Sequence, residues 1–477
     1  MKRREFIRKS LYATVSSAAF TALAGKLNLA HAATNAHSPR IILGGPDYRA
    51  LVLISLDGGN DAFNTLIPRS NPHYATYAAT RGILAVAQGQ LLPLNALNAA
   101  SDGALYGLHP AMPELAALFN QASSPVAVVA NVGPLLFPIT KAEFQNGSVP
   151  APAQLFSHSD QGTFWQTPSA DADGRVGWGG RLADLTTAVG QNPNLSMNIS
   201  LSGENVFEAG EDVVPYFVSP DGVDGIDMVQ DIPGWTEHQQ RRAAINALLN
   251  GPLAHPLERA YSGKFRRTVG NFEQVSAALA LPFNATVESR FAYADANGGD
   301  YLGRQLRMVA RLINVRSNLS MQRQVFYVSL GGFDTHDSQL LNHADLLASL
   351  SKGLAAFHQA TLDMGVAGQV VSFTGSEFGR TLTNNGDGTD HGWGGHHFVV
   401  GGDVSGGRYY GRFPSLTTVN NPDDAAYGQI IPTTSVDQYA WSLARWYGLS
   451  DSDRDLIFPN VSRFGSIGHH HLDFLGA

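Results

Sequence analysis

The chain has no cysteine among its 477 residues. That excludes disulfides, thiolate metal sites and a cysteine nucleophile together. Positive charge is also scarce. The formal net charge is -8 and no basic patch stands out, which argues against a nucleic-acid partner. Past the N-terminal segment no apolar run is long enough for a membrane helix, so the mature chain reads as not membrane-spanning. Charged residues make up 15% and hydrophobic ones 44%, a balance that supports a sizeable core and opposes wholesale disorder. Glycine is plentiful at 50 residues, which points to many tight turns.

The N-terminus has the three-part shape of an export signal. Lys2, Arg3 and Arg4 precede Phe6, an Ala/Ser-rich apolar segment follows, and Ala30-His31-Ala32 offers small residues for cleavage. The paired arginines followed by a phenylalanine match a twin-arginine signal. Residues 1–32 are therefore read as a signal peptide, and 33–477 as a single exported α/β domain. The expected location is periplasmic or secreted, with the twin-arginine translocase a partner during export.

Five apolar runs read as buried strands: Ala50–Leu56, Val126–Val132, Ser196–Leu201, Gln324–Leu330 and Gln369–Thr374. Amphipathic helical stretches fall between them, over Ala111–Phe119, Trp178–Val189, Tyr301–Ser320, Gln339–Phe357 and Thr433–Tyr447. This β–α–β rhythm predicts a mostly parallel sheet with helices on both faces. The rhythm breaks over about 203–300, which reads as a helical insertion over the sheet. After His397, a glycine-rich stretch reads as an edge region.

Three of the runs end in acidic or imidazole residues. The first ends at Asp57. Gln324–Leu330 is followed by Asp334 and His336. Gln369–Thr374 is followed by Glu377 and Arg380, then by a loop carrying Asp390, His391, His396 and His397. Open α/β sheets place their chemistry at the carboxyl ends of strands. Mixed Asp/Glu/His sets suit Zn or Mn, with Mg and Ca also open, in one or two ions. A plainer reading exists at each point: Asp57 as a turn residue, Asp334 as a helix cap, the last loop as polar surface. Arg380 has the planar fork to hold an oxyanion. The stretch Ser157-His158-Ser159-Asp160 reads either as a helix N-cap or as the source of a serine nucleophile.

Taken in order, LDGGND, SHSDQ, GGFDTH, GSEFGRT and TDHGWGGHHFVVGG resemble the exported bacterial family called domain of unknown function 1501, which is similar to the alkaline phosphatase and sulfatase superfamily. The resemblance implies an alkaline-phosphatase-like three-layer α/β sandwich and a metal-dependent hydrolase of phosphate or sulfate esters. Its substrate would be a small or glycan-linked anionic ester. It implies Asp57, Asp334, His336, Glu377, Asp390, His391 and His396 as metal ligands. Ser157 would be the nucleophile, with Ser159 behind it, and Arg380 would bind the anion. The last motif departs from the superfamily, where an Asp-His pair follows the strand directly. Either Glu377 replaces that aspartate, or the loop folds back to supply Asp390 and His391. No serine stands in the C/S-x-P-x-R context that formylglycine-dependent sulfatases need. The alternative is a non-catalytic exported binding or assembly protein on a degenerate hydrolase fold.

Overall fold

Strand β1, Arg49–Asp57, is apolar on both faces because helices cover both. The computed structural model describes residues 41–43, 47–167, 175–188, 191–226, 234–253, 255–296, 298–465 and 471–476. The other strands of the main sheet are β2 (Val126–Gly133), β3 (Asn198–Ser200), β4 (Tyr216–Phe217), β5 (Arg323–Gly331), β6 (Val370–Gly375), β7 (Gly395–Gly401), β8 (Arg408–Tyr410) and β9 (Thr434–Ser435). Their spatial order is β8-β2-β7-β6-β1-β5-β3-β4, with β9 also paired to β2. Every pairing is parallel except the two made by β7, so β7 alone runs against the rest.

Eight helices matter below. They are α1 (Pro113–Phe119), α2 (His158–Gln166), α3 (Trp178–Leu185), α4 (Thr236–Leu249), α5 (Pro256–Leu279), α6 (Tyr301–Asn314), α7 (Gln339–Asp363) and α8 (Val436–Tyr447). Ala50, Val52, Ile54 and Leu56 of β1 share one core with Leu115 of α1, Leu306 of α6, and Leu350 and Leu354 of α7. Across the sheet, the Phe373 ring of β6 packs on Trp178 of α3 and Tyr439 of α8, at centroid distances of 5.9 and 6.1 Å. Each such fully buried side chain contributes roughly 1.5–3 kcal/mol. Helices thus lie on both faces of a mostly parallel sheet, the expected architecture.

Register decides where the strands stop. Asp57 pairs with Gly331 at the ends of β1 and β5, and Gly375 of β6 stands level with Ser55. Three strands therefore leave the sheet at one edge. β7 reverses direction, so its first residue, Gly395, lies at that same edge, level with Val132 near the end of β2. The segments before β7 and after β2 are brought there as well. The expectation of an edge region after His397 holds for part of that stretch: β8 is the terminal strand of the sheet, but β7, which includes residues 398–401, runs between β6 and β2 and is buried throughout.

Element boundaries also differ from those expected, and α7 runs on to Asp363. α3 stops at Leu185, and Thr186–Ala188 is extended, in keeping with consecutive β-branched threonines. α6 stops at Asn314. The 203–300 segment supplies β4 at one end of the sheet and helices α4 and α5. Ile42–Ala477 forms one compact unit. The signal-peptide reading falls on residues outside those described. No described helix is long and apolar enough to cross a membrane.

Candidate metal centre

The turn after β1 begins the site. Gly58 has φ +117°, and a Cβ there would lie 2.3 Å from the backbone nitrogen of Asp334, so the two strand-end turns touch backbone to backbone. The Gly58 N–H donates to Glu377 Oε1 at 2.8 Å. Three strand ends are thereby locked together: β1 through Gly58, β5 through Asp334 and β6 through Glu377.

The loop after Glu377 folds back. Gly379 N donates to Trp393 O, Gly392 N to Gly379 O, and Thr381 N to Asp390 O, at 2.9, 2.8 and 3.0 Å. Arg380 and His391 face each other across this small antiparallel bridge. Thr389 N donates to Thr335 O at 3.1 Å, which ties the loop to the turn after β5. The loop folds back, as one of the two sequence alternatives expected, and it brings His391 to the strand ends while Asp390 stands behind His336.

Three imidazoles converge on Asp334. His336 Nε2 lies 3.0 Å from Asp334 Oδ1 and 3.0 Å from His391 Nε2. His391 Nε2 lies 3.2 Å from Asp334 Oδ1 and 3.1 Å from His158 Nε2. His158 Nε2 lies 3.4 Å from Asp334 Oδ2. Each ring is held from behind by its other nitrogen. His158 Nδ1 meets Glu377 Oε1 at 2.8 Å, His391 Nδ1 meets the Phe156 carbonyl at 2.7 Å, and His336 Nδ1 meets Asp390 Oδ1 at 3.3 Å. Carboxylate and carbonyl oxygens accept, so Nδ1 of His158 and of His391 donates and their Nε2 atoms turn lone pairs inward, while His336 Nδ1 is within ion-pair distance of Asp390. Lone pairs facing one another at about 3 Å repel unless a proton or a cation lies between them.

The donor set fits a divalent metal. Imidazole and carboxylate together suit Zn or Mn, and calcium prefers an all-oxygen shell. A tetrahedron built on metal–ligand bonds of about 2.0–2.1 Å has edges of about 3.3 Å, close to the spacings among His158, Asp334 and His391, which would supply three of its corners. Histidine ligands tied through the other nitrogen to a carboxylate or carbonyl are the usual arrangement around bound metal. His158, Asp334 and His391 each present one donor atom within 4.8 Å of the others.

Charge is distributed unevenly. Burial raises the Asp334 carboxyl, but the Arg380 hydrogen bond and charge, with His336 and His158, outweigh it and hold the group below the usual carboxylate range. The hydrogen bond to Glu377 raises His158, against the opposing effect of burial, while burial lowers His391. Asp57 is raised by burial, with Glu377 adding to the rise and the Ser55 hydroxyl, 2.5 Å away, working against it.

The expected site residues therefore divide. Asp334, His336 and His391 meet at the centre. Glu377 and Asp390 hold imidazoles from behind. Asp57 lines a neighbouring cavity with Ser55, His158, Trp165 and Glu377. His396 lies elsewhere: it is 3% exposed, its Nδ1 accepts the Asn131 N–H at 3.1 Å, and its ring packs against Phe63 and Phe413. A ring so enclosed is part of the core, which corrects its reading as a ligand. Arg380 is fully buried. It donates to Asp334 Oδ1 at 2.7 Å, to Gly58 O at 3.3 Å, to Thr389 Oγ1 at 3.2 Å and to the Thr389 carbonyl. It holds Asp334 in place and has no face turned to a ligand, which corrects the oxyanion role.

Ser157 caps α2 and its hydroxyl lies 2.5 Å from Asp160 Oδ2. The residue that the sequence reading passed over is His158, the first residue of α2. Its signal was present: SHSDQ follows a strand whose end shares the edge with Asp57 and Glu377.

Fold and site together define an α/β protein with a His/Asp cluster at the carboxyl edge of a mostly parallel sheet. The chain belongs to the family described as "Protein of unknown function (DUF1501)", which matches over residues 48–434. No curated protein matches it in sequence. Among solved structures it is similar to the lipoteichoic acid synthase LtaP from Listeria monocytogenes, at 11% identity over 87% of this chain and 76% of that one, with a TM-score of 0.32. It is also similar to the PsFucS1 sulfatase from Pseudoalteromonas sp., at 12% identity over 88% and 70%, with a TM-score of 0.33. A third is Ps i-CgsB in complex with k-i-k-neocarrahexaose, at 10% identity over 89% and 77%, with a TM-score of 0.32. Likeness at this level carries no argument about activity.

Proposed function

We propose that the protein is an exported, metal-dependent hydrolase of phosphate or sulfate esters. One observation carries the reading: three imidazole Nε2 atoms converge on one carboxylate, and the rings of His158 and His391 are oriented by acceptors behind them. His158, His391 and Asp334 would hold the ion, with His336 beside them at 3.0 Å from Asp334 Oδ1. A divalent ion held there supplies Lewis-acid polarisation of an ester oxygen and charge neutralisation at the reacting centre. Glu377, Asp390 and the Phe156 carbonyl keep the imidazoles in the tautomer that binds. The ester class rests on the likeness of the ordered motifs to the alkaline phosphatase and sulfatase superfamily.

Ser157 is the nucleophile in this reading. Its neighbour in sequence, His158, belongs to the cluster, and Asp160 Oδ2 is placed to accept the hydroxyl proton at 2.5 Å. Ser157→Ala also removes a helix cap, which costs about 1 kcal/mol. The expected result is a small drop in Tm, unchanged metal content and loss of p-nitrophenyl phosphate or sulfate hydrolysis. Full turnover in that variant removes the serine from the mechanism.

Export through the twin-arginine pathway rests on Arg3 and Arg4 ahead of Phe6. Arg3→Lys with Arg4→Lys is expected to retain precursor inside the cell, and unchanged export in that variant contradicts the assignment.

A non-catalytic binding or assembly role has one observation in its favour. Arg380 is spent inside the fold, so the guanidinium fork expected to bind the anion is not free to do so. Bound metal without turnover on either ester would support this second reading.

A further inference from the structure

Behind Asp334 runs a buried chain of polar groups that ends at the Asp61–Arg81 pair. Arg380 Nη1 holds Asp334 Oδ1 at 2.7 Å, and its Nε donates to Thr389 Oγ1 at 3.2 Å. The Thr389 hydroxyl in turn donates to Gln339 Oε1 at 2.6 Å. Gln339 Nε2 donates to Asp61 Oδ2, which is also paired with the Arg81 guanidinium. Arg380, Gln339, Asp61 and Arg81 are all fully buried, and Thr389 is too. Gln339 opens α7 and Asp61 caps the short helix Ala62–Thr65, so the chain is anchored on secondary structure at both points.

Each link has a fixed direction. Arg380 can only donate, so Thr389 Oγ1 must accept from it and pass its own proton to Gln339. The glutamine oxygen then accepts, which leaves its amide N–H to face the Asp61 carboxylate. No link can be reversed without putting two donors or two acceptors together. The side-chain hydrogen bonds of Thr389 and Gln339 go to one another, to Arg380 and to Asp61, and none goes to an imidazole of the cluster.

We infer that Thr389 and Gln339 are positioning residues: they fix the Arg380 guanidinium, and through it the Asp334 carboxylate, in the orientation the metal centre needs. Removing the Thr389 hydroxyl leaves the Nε–H of a fully buried arginine without an acceptor, and a buried unpartnered donor on a charged group is strongly unfavourable. The guanidinium must then turn, and Asp334, half exposed on its other side, turns with it. Loss of a group that supports a metal ligand typically lowers metal affinity about 10–100-fold. The inference rests on the reading of the His/Asp cluster as a metal site.

The test is Zn affinity of the purified full mature chain, measured by competition with a chromophoric chelator, alongside the Tm of the metal-free protein. Thr389→Val keeps the shape and drops the hydroxyl. It is expected to weaken Zn binding about 10-fold or more, and Thr389→Ser is expected to restore it. Gln339→Met, which removes the acceptor one link further out, is expected to weaken Zn binding to a lesser degree and remains informative if Thr389→Val does not fold. His158→Ala is the control for the site itself. If His158→Ala loses Zn while folded Thr389→Val and Gln339→Met bind it as wild type does, the positioning role is overturned and the metal reading stands. If His158→Ala binds Zn unchanged, the metal reading itself fails. A Tm drop in Thr389→Val with unaltered Zn affinity marks a purely structural role and also overturns the inference.

Discussion

At the scale of single residues, histidines of two kinds sit within forty residues of one another in sequence. His391 is partly exposed and its Nε2 faces other donors. His396 and His397 are sealed in the sheet, and burial pushes both down to about 3. Sequence does not separate them, because Asp390-His391 and His396-His397 look equally like ligand pairs in a glycine-rich loop. What separates them is β7: the strand begins at Gly395, and residues beyond that point are core. The same limit hid His158. The serine before it reads as a cap, which it is, and nothing local says that the next ring reaches Asp334. By contrast Asp334, His336 and Glu377 were legible, because each follows a buried strand by a few residues. Glu377 is a support in this account, not a direct ligand. Glu377→Gln removes the charge behind His158 while leaving an oxygen to accept, so metal affinity is expected to fall about tenfold with the fold intact. An unchanged affinity by chelator competition would show that the carboxylate has no part in the site.

At the scale of elements, the site exists because turns at the sheet edge interlock. Gly58 is the tightest point. Its φ of +117° disfavours any L side chain, and a Cβ would sit 2.3 Å from the Asp334 backbone. Gly388 plays a similar part in the folded-back loop, where a Cβ would lie 2.3 Å from the His336 carbonyl carbon. Gly58→Ala is expected to destabilise the chain by about 2 kcal/mol or more through backbone strain and displacement. Urea unfolding should show the lower midpoint, and wild-type stability would mean that the two turns can part freely. The strands themselves were readable from apolar runs, and the parallel order followed from their alternation with helices. The exceptions were the short strands β4, β8 and β9, and also β7, whose GHHFVVG pattern mixes imidazole and glycine into a fully buried strand. Only the sheet shows that it fills the gap between β6 and β2.

At the scale of the whole molecule, buried ionisable groups set a pH optimum. Burial lowers His109 and His343 to about 4, and His396 and His397 to about 3. In the unfolded chain these groups take up protons near pH 6.5. Below that pH the unfolded state binds more protons than the native one, so stability falls as pH drops from about 6.5 toward 4. Burial acts the other way on two carboxyls, raising Glu208 and Asp437 to about 8. Between about pH 4.5 and 8 the native state keeps protons that the unfolded state has released, so these two groups lose stability as pH rises. Four histidines outweigh two acids below pH 6.5, and above it the acids act in the same direction as His158, which its Glu377 hydrogen bond raises. The Tm is therefore expected to peak near pH 6.5 and to decline on both sides. A Tm that climbs steadily from pH 6.5 to 8 would mean that Glu208 and Asp437 are ionised in the fold.

The most direct test of the account is elemental analysis of the mature protein purified without chelator and equilibrated with Zn or Mn, with His158→Ala treated in parallel. The account predicts about one ion per chain in the wild type and loss of that ion in the variant. A wild-type protein that retains no metal, or a variant that retains as much as the wild type, would contradict it.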